Sequence, residues 1–257
     1  MQFPASIRST ASAAAWPVRA YGEKLEDLAI DPLDGALPVA AARVLSACVG
    51  DIGRIHLDVL AWPVNLRLQG LLAVTIASFG PEWIWSTRCT APGCEAAMDL
   101  PLALQDFLAA DVAERVECEL ADGRNLPVAV PTGRDQLDWL GEVAPGEDDM
   151  LRRLLPQGTV DEDLDLADHA AIERALVNAD PLRTLEIETA CPECGSDLTL
   201  PLDLEAACLV RLAGLRPRLL DEVHLLASAY HWSESEIMAV PAARRAAYLA
   251  RIEGIGA

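Results

Sequence analysis

Apolar residues recur at steps of three and four along much of the chain, and this spacing predicts helices. The segment after Asn65 is apolar on nearly every side and closes at Phe79-Gly80, which predicts a buried helix that ends at the glycine. Thr132 stands three residues before Asp135 and is predicted to cap another helix. Further helices are predicted over residues 38–49, 102–110, 150–155, 168–178 and 204–212, with an acidic loop over 157–168.

Alternation of polar and apolar residues predicts β-hairpins at three places. Residues 115–120 and 125–130 alternate on either side of Ala121-Asp-Gly-Arg124, a turn sequence typical of hairpins. The other two hairpins are predicted where a pair of cysteines separates two short strands, within residues 83–102 and 185–202. The fold is therefore predicted to be α+β, with mixed helices and short β-hairpins, two of them zinc-ribbon-like cysteine knuckles.

The C-terminal third carries the most regular pattern. Ser233 and Glu236 predict a capping box for a short helix, and Pro241 opens a basic final helix. The arginines of that helix are predicted to form either a solvated surface or a docking face for an acidic partner. A longer helix precedes both, because apolar or aromatic residues follow one another at steps of four, three and four: Leu219, Val223, Leu226 and Tyr230.

These patterns divide the chain into three predicted regions. Residues 1–36 contain several prolines and little periodicity, which predicts an extended N-terminal arm that packs onto neighbours or stays mobile. Residues 37–213 are predicted to form an α+β body that carries both cysteine knuckles, and residues 214–257 a C-terminal unit of three helices.

The charge of the chain narrows the classes of partner. Acidic residues outnumber basic ones by 40 to 20, and the formal net charge is −20. Since phosphate binding needs clustered lysine and arginine, we expect no nucleic-acid partner. No apolar run approaches the roughly 20 residues that span a bilayer, so we expect no membrane span. Hydrophobic residues make up 52% of the chain, which favours a component that covers apolar faces with partner proteins.

Four of the seven cysteines form two short pairs in similar surroundings. In each pair, proline and glycine allow the chain to curl around an ion, and each predicted hairpin ends in a Leu-Pro-Leu sequence. Four thiolates are the ligand set of a closed structural zinc site. The sequence therefore predicts a structural Zn²⁺ as cofactor, with these ligands: Cys89, Cys94, Cys191 and Cys194.

The long separation between the pairs leaves alternatives open. Either an insertion splits one composite site, or each pair is a half-site. A redox role for Cys191 and Cys194 is a further alternative, although a thioredoxin-type pair opens a helix and this pair is predicted to link two strands. The N-terminus lacks the pattern of a secretory leader, so we expect a reducing cytosolic environment. The remaining cysteines stand among apolar residues and are expected to be buried: Cys48, Cys118 and Cys208.

Motifs for catalysis are missing from the sequence. It contains no Gly-x-Ser-x-Gly, no phosphate loop and no dinucleotide fingerprint. The segment Pro131-Thr-Gly-Arg-Asp135 lacks the lysine and the glycine spacing of a nucleotide loop. The four histidines lie outside any hydrolase or metalloprotease motif: His56, His169, His224 and His231. We therefore predict that the protein is not an enzyme.

Several segments together resemble a family of baseplate (hub) proteins encoded in the tail modules of tailed phages and of related contractile injection systems. The most specific similarity lies in Glu222-Val-His224 through Glu236-Ile237, followed by Arg244-Arg-Ala-Ala-Tyr248-Leu249. The resemblance extends over about residues 65–253 and leaves the N-terminal 60 residues outside. The other segments that carry it are Ser78-Phe-Gly80, Pro131-Thr-Gly-Arg-Asp135, and Asp180-Pro181 before Cys191-Pro-Glu-Cys194-Gly195.

The resemblance implies a structural, non-enzymatic subunit of a tail baseplate or tail tip, which joins the tube or hub to wedge or fibre proteins in several copies. It also implies a virion location after synthesis in the host cytoplasm. Family members often carry two cysteine knuckles, but the first knuckle here has a four-residue spacer rather than two. Two alternative functions remain open: a tail assembly chaperone absent from the mature particle, and a cytoplasmic zinc-ribbon adaptor.

Overall fold

The structure, a computed structural model, describes residues 6–9, 12–50, 57–108, 112–141, 146–156 and 164–254. Nine α-helices lie in these ranges: α1 Leu37–Cys48, α2 Val64–Phe79, α3 Gly133–Trp139, α4 Glu147–Leu154, α5 Leu166–Ala179, α6 Leu204–Ala213, α7 Leu215–Tyr230, α8 Glu234–Ala239 and α9 Ala242–Ile252. Eight strands form four two-stranded antiparallel sheets: β1 Ser6–Ser9 with β2 Ser12–Pro17, β3 Glu82–Arg88 with β4 Ala97–Ala103, β5 Arg115–Glu119 with β6 Asn125–Ala129, and β7 Glu186–Ala190 with β8 Asp197–Pro201. The predicted α+β class is confirmed.

Helix α2 is the centre of the main core. Every residue from Val64 to Ile76 is buried, as its all-round apolar sequence predicts, and the helix ends at Gly80 with φ 86°. Two of its buried polar side chains bond to backbone carbonyls: Asn65 donates to the carbonyl of Ala113 at 3.0 Å, and Gln69 to that of Phe107 at 3.0 Å. Because unpaired buried polar groups are costly, these bonds fix the chain around α2.

Buried Arg67 connects α2 to two other helices. Its Nε and one terminal nitrogen bind the carboxylate of Glu205 on α6, and the same terminal nitrogen donates to Gln136 Oε1 on α3 at 2.6 Å. A guanidinium that is fully buried needs such partners. The three helices are therefore held together at one point inside the core.

The two cysteine hairpins repeat one another along the sequence. Four apolar residues along and just after the second strand of the first hairpin have counterparts 100 residues later in the second hairpin. The last of the four positions lies after the strand in both hairpins. The inward-facing strand residues pack in a small core between the hairpins, and the later ones join the main core. The corresponding residues are Met98 and Leu198, Leu100 and Leu200, Leu102 and Leu202, and Leu104 and Leu204.

The segment after the first hairpin differs from the prediction. A helix is predicted over residues 102–110, but β4 continues to Ala103 and only a 3₁₀ turn, Leu104–Phe107, follows. The N–H of Leu104 donates to the carbonyl of Pro81 at 2.8 Å, which extends the hairpin past the point where a helix could start. Residues 109 and 110 lie outside the described ranges, as do residues 157–163 of the predicted acidic loop.

A second core lies under the predicted central hairpin. Strands β5 and β6 pair as the predicted hairpin, and β5 packs against α5. Helix α5 begins at Leu166, two residues before the predicted start, because Asp165 and Asp168 form a capping box. The buried residues of this core are Cys118, Leu120, Val128, Leu154, Leu155 and Ile172.

The N-terminal segment differs from the predicted arm. Over residues 1–36 the sequence predicts an extended arm, whereas the described part contains the β1–β2 hairpin and a 3₁₀ turn, Leu25–Ala29, packed onto the body. Tyr21 is 3% exposed and Asp27 is fully buried. Arg19 binds both carboxylate oxygens of Asp27 at 2.6 and 2.7 Å, so this buried charge has a partner. The N–H of Tyr21 also donates to Ser78 Oγ on α2 at 3.0 Å, so partners near and far along the chain hold a segment that shows no periodicity of its own.

The C-terminal helices α7, α8 and α9 form the predicted unit, and the capping box of Ser233 and Glu236 is present. The predicted exposure of the final arginines is wrong for Arg245, which is 2% exposed. Its Nε donates to Glu222 on α7 at 2.8 Å, and another nitrogen donates to the carbonyl of Gly22 at 3.4 Å. Arg245 therefore ties the last helix to the N-terminal segment, while Arg244 and Arg251 are exposed.

The proposed region boundaries at residues 36 and 213 stay predictions, although Gly214 does separate α6 from α7. Within the described ranges, none of the helices combines the length and the apolar character that crossing a membrane requires.

Candidate metal centre

The four predicted ligands lie at the tips of the two repeated hairpins. Cys89 follows β3 and Cys94 precedes β4, while Cys191 follows β7 and Cys194 precedes β8. In each hairpin the first cysteine closes the turn through its backbone. The N–H of Cys89 donates to the carbonyl of Ala96 at 2.8 Å, and the N–H of Cys191 to that of Ser196 at 2.9 Å.

The structure brings all four sulfur atoms together, although Cys94 and Cys191 are 97 residues apart in the sequence. Cys89 Sγ lies 3.8 Å from Cys194 Sγ, and Cys94 Sγ lies 3.8 Å from Cys191 Sγ. The four ligand atoms lie within 4.8 Å of one another. Zinc bonds sulfur at about 2.3 Å in a tetrahedron, which places any two ligand sulfurs about 3.8 Å apart. The cluster therefore has the dimensions of a tetrathiolate metal site.

The arrangement within the cluster has an approximate two-fold symmetry. The first cysteine of each hairpin contacts the second cysteine of the other. The first cysteines, Cys89 and Cys191, are 4% and 2% exposed, whereas Cys94 is half-buried and Cys194 is exposed. Each hairpin thus contributes one inner and one outer ligand to a single site. This result favours the composite site over two separate half-sites.

A disulfide explains these contacts poorly. Disulfide sulfurs lie about 2.05 Å apart, much closer than the 3.8 Å found here. All seven cysteines are free thiols. Cys191 and Cys194 also link two strands, as predicted, and do not open a helix as a thioredoxin-type pair does.

Both turns place the residue after the second cysteine in the left-handed region. Gly195 has φ 71° and Glu95 has φ 52°. Glycine adopts this conformation without steric cost, but another residue pays about 1–2 kcal/mol. The first hairpin therefore keeps the backbone conformation of the second despite its two additional spacer residues, and it does so with an unfavourable residue.

The thiols differ in their ionisation. The hydroxyl and the backbone N–H of Ser196 lower the pKa of Cys194 to about 6. For Cys89, the N–H of Ala91 lowers the pKa, but burial and the surrounding thiols outweigh it, and the pKa rises to about 12. The pKa values of Cys194 and Cys89 are therefore shifted in opposite directions within one cluster. A divalent cation bound here would supply the charge that stabilises four thiolates in this space.

Sequence reasoning identified the four cysteines of the cluster but missed the groups that contact their sulfur atoms. Ala91 N–H lies 3.4 Å from Cys89 Sγ, and Ser196 Oγ lies 3.4 Å from Cys194 Sγ. Such outer contacts orient the ligands of a metal site. A hydroxyl residue two positions after Cys194 is the only sequence signal for Ser196, and the matching position in the first hairpin is Ala96.

No histidine in the described part of the chain belongs to the cysteine cluster, and His56 lies outside that part. The other three cysteines are buried away from the cluster, as expected: Cys48, Cys118 and Cys208. The chain matches no protein-family model, no curated protein and no solved structure.

Proposed function

We propose that the cysteine cluster holds one structural Zn²⁺ and that the chain is a structural subunit of a tail baseplate or tail tip. The observation that carries the first part is the 3.8 Å spacing between sulfurs contributed by two distant hairpins. With all four positions supplied by thiolates, a bound zinc has no open position for substrate. The site thus suits a structural role rather than catalysis.

The resemblance of residues 222–249 to the baseplate family supports the second part. Those residues form the C-terminal half of α7, all of α8 and the larger part of α9, in a helical unit that carries the exposed arginines Arg244 and Arg251. The chain also exposes several large apolar residues that an assembly could cover: Leu166 is 88% exposed, Leu140 65%, Ile84 58% and Val210 58%. Partners of this kind are other tail proteins, in a particle with several copies of each.

Elemental analysis of the purified chain tests the zinc site. We expect one zinc per chain, and its complete loss both in the Cys89→Ser/Cys94→Ser variant and in the Cys191→Ser/Cys194→Ser variant. Cys48→Ala is the matched control, because Cys48 is a buried thiol outside the cluster and its removal should leave the zinc content unchanged. Two zinc ions, each lost in only one double variant, contradict the composite site.

Quantitative mass spectrometry of purified tail particles tests the subunit role. A structural subunit is present at a fixed ratio to the tube protein in finished particles. Presence during assembly but absence from the particle identifies an assembly chaperone instead. A gene without tail genes as neighbours, in a host that makes no tail particle, contradicts both and leaves the adaptor function.

A further inference from the structure

A cleft of about 480 Å³ lies on the body, away from the cysteine cluster. It is lined by the starts of α1, α2 and α6, by α3 and α4, and by the turn that follows α5. Its volume is within the range of ligand pockets, about 300–1,000 Å³. Its walls are mostly apolar and include Leu37, Val64, Leu68, Trp139, Leu182 and Leu204.

One buried acid in this cleft has no bonded partner. Asp180 is 8% exposed, and its carboxylate accepts no hydrogen bond from any residue that the structure describes. It precedes a 3₁₀ turn, Pro181–Thr184, yet makes no side-chain cap there. The backbone of Asp180 is fully used, since its N–H donates to Leu176 and Val177 and its carbonyl accepts from Arg183. Only the carboxylate is left without a role in the fold.

The charged neighbours do not neutralise this carboxylate. Arg67 is engaged by Glu205, and Arg183 lies exposed beside the cleft without an ion pair to a described residue. Burial raises the pKa of Asp180, although both arginines act in the opposite direction. Asp203 and Glu205 add further acidic groups to the lining. A buried carboxylate without a hydrogen bond is costly, so its presence here calls for a partner.

We propose that this cleft binds a basic side chain of a partner protein, an arginine flanked by apolar residues, with Asp180 as the acceptor of its guanidinium. The aliphatic part of the partner's arginine and its flanking residues would pack on the apolar walls. The planar guanidinium would donate to both carboxylate oxygens of Asp180. The surplus of acidic groups in the lining gives the charge complementarity. The proposal depends neither on the zinc site nor on the identity of the assembly.

Titration of the full chain with the peptide Gly-Leu-Arg-Leu-Gly, capped at both termini, tests this proposal. The indole signal of Trp139, assigned by its loss in Trp139→Phe, should move on binding. The same peptide with citrulline, the neutral analogue of arginine, should bind at least about tenfold more weakly, because truncating a buried charge pair costs 2–5 kcal/mol. Free agmatine should also bind more weakly, since it lacks the apolar flanks.

Asp180→Asn is the decisive variant, and Asp203→Asn is its matched control. Both remove one negative charge from the lining, but Asp203 caps α6 by accepting from Ala206 N–H, a role that asparagine retains. Asp180→Asn should weaken peptide binding at least about tenfold, and Asp203→Asn less than about threefold. Without peptide, Asp180→Asn should fold as stably as the parent or more so.

Each opposite result overturns the proposal. Equal weakening by the two variants would mean diffuse charge attraction. If the citrulline peptide bound as tightly as the arginine peptide, the cleft would be an apolar groove only. If agmatine bound as tightly as the arginine peptide, the cleft would be a small-molecule site. Absence of any peptide binding to the parent chain, or marked destabilisation by Asp180→Asn alone, would mean that the carboxylate serves the fold.

Discussion

The two cysteine hairpins reach the same geometry with different sequences. The second has a two-residue spacer and a glycine in the left-handed position, whereas the first has a four-residue spacer and Glu95 in that position. The inner and outer ligands, the closing backbone bonds and the apolar repeat after the turn nevertheless correspond. The comparison teaches that the ligand positions are set by the strands and the left-handed residue, while the spacer adapts.

The largest expected effect is the loss of either ligand pair. Because one ion is proposed to bind both hairpins, each double cysteine-to-serine variant should lower the free energy of unfolding by at least about 3–5 kcal/mol, against a typical net stability of 5–15 kcal/mol. The two losses should agree within about 1 kcal/mol. Denaturant unfolding with zinc present measures them, and a large difference between the pairs would show that the hairpins are not equivalent.

The apolar repeat should be nearly as sensitive. Leu104 is fully buried and Leu204 is 1% exposed, at matching positions after the two hairpins. Truncating a buried leucine to alanine costs about 2–5 kcal/mol. We expect Leu104→Ala and Leu204→Ala to lower the melting temperature by similar amounts without loss of zinc. Zinc loss in either variant would mean that the repeat positions the ligands directly.

The left-handed residue should respond in opposite directions in the two turns. Gly195→Ala should cost about 1–2 kcal/mol through the backbone, since a Cβ at Gly195 meets no atom within 4 Å. Glu95→Gly relieves the same strain and should stabilise the first turn by up to about 1 kcal/mol. Calorimetric melting of the two variants measures whether their stabilities change in opposite directions. Changes of the same sign would contradict the equivalence of the turns.

The spacer should matter least. Replacing residues 89–95 with Cys-Pro-Glu-Cys-Gly gives the first hairpin the spacer of the second. Since both turns already share their closing bonds, we expect full zinc content and a change in stability of less than about 1 kcal/mol. A graft that folds but fails to bind zinc would show that the longer spacer supplies a needed geometry.

Local features were predictable because their signals are local. The N-cap at Thr132, the capping box at Ser233, the buried helix α2 and the hairpin β5–β6 each depend on residues close in sequence. The four cysteines of the cluster could also be singled out, because the surroundings of one pair repeat around the other. The sequence left open whether they met in one site, and the geometry favours that they do.

The misses at Arg245 and in the N-terminal segment have a common physical cause. Arg245 finds its partners 23 and 223 residues away, and the N-terminal segment is held by Ser78 of α2 and by Arg245 of the C-terminal unit. Asp180 could be recognised in the sequence only as a helix break before Pro181. Sequence periodicity does not mark such buried charged residues, because the charge or carbonyl that pairs with them comes from another part of the fold.

The 97-residue separation of the knuckles also bears on how the chain folds. Closing a loop of that length costs about 4–5 kcal/mol of chain entropy, and the native contacts between the hairpins must supply it. A chain whose hairpins have not yet met offers an ion only two thiolates at a time. All four ligands of the proposed tetrahedral site become available only when the hairpins meet. Full coordination of the metal therefore coincides with the last step of forming the native topology.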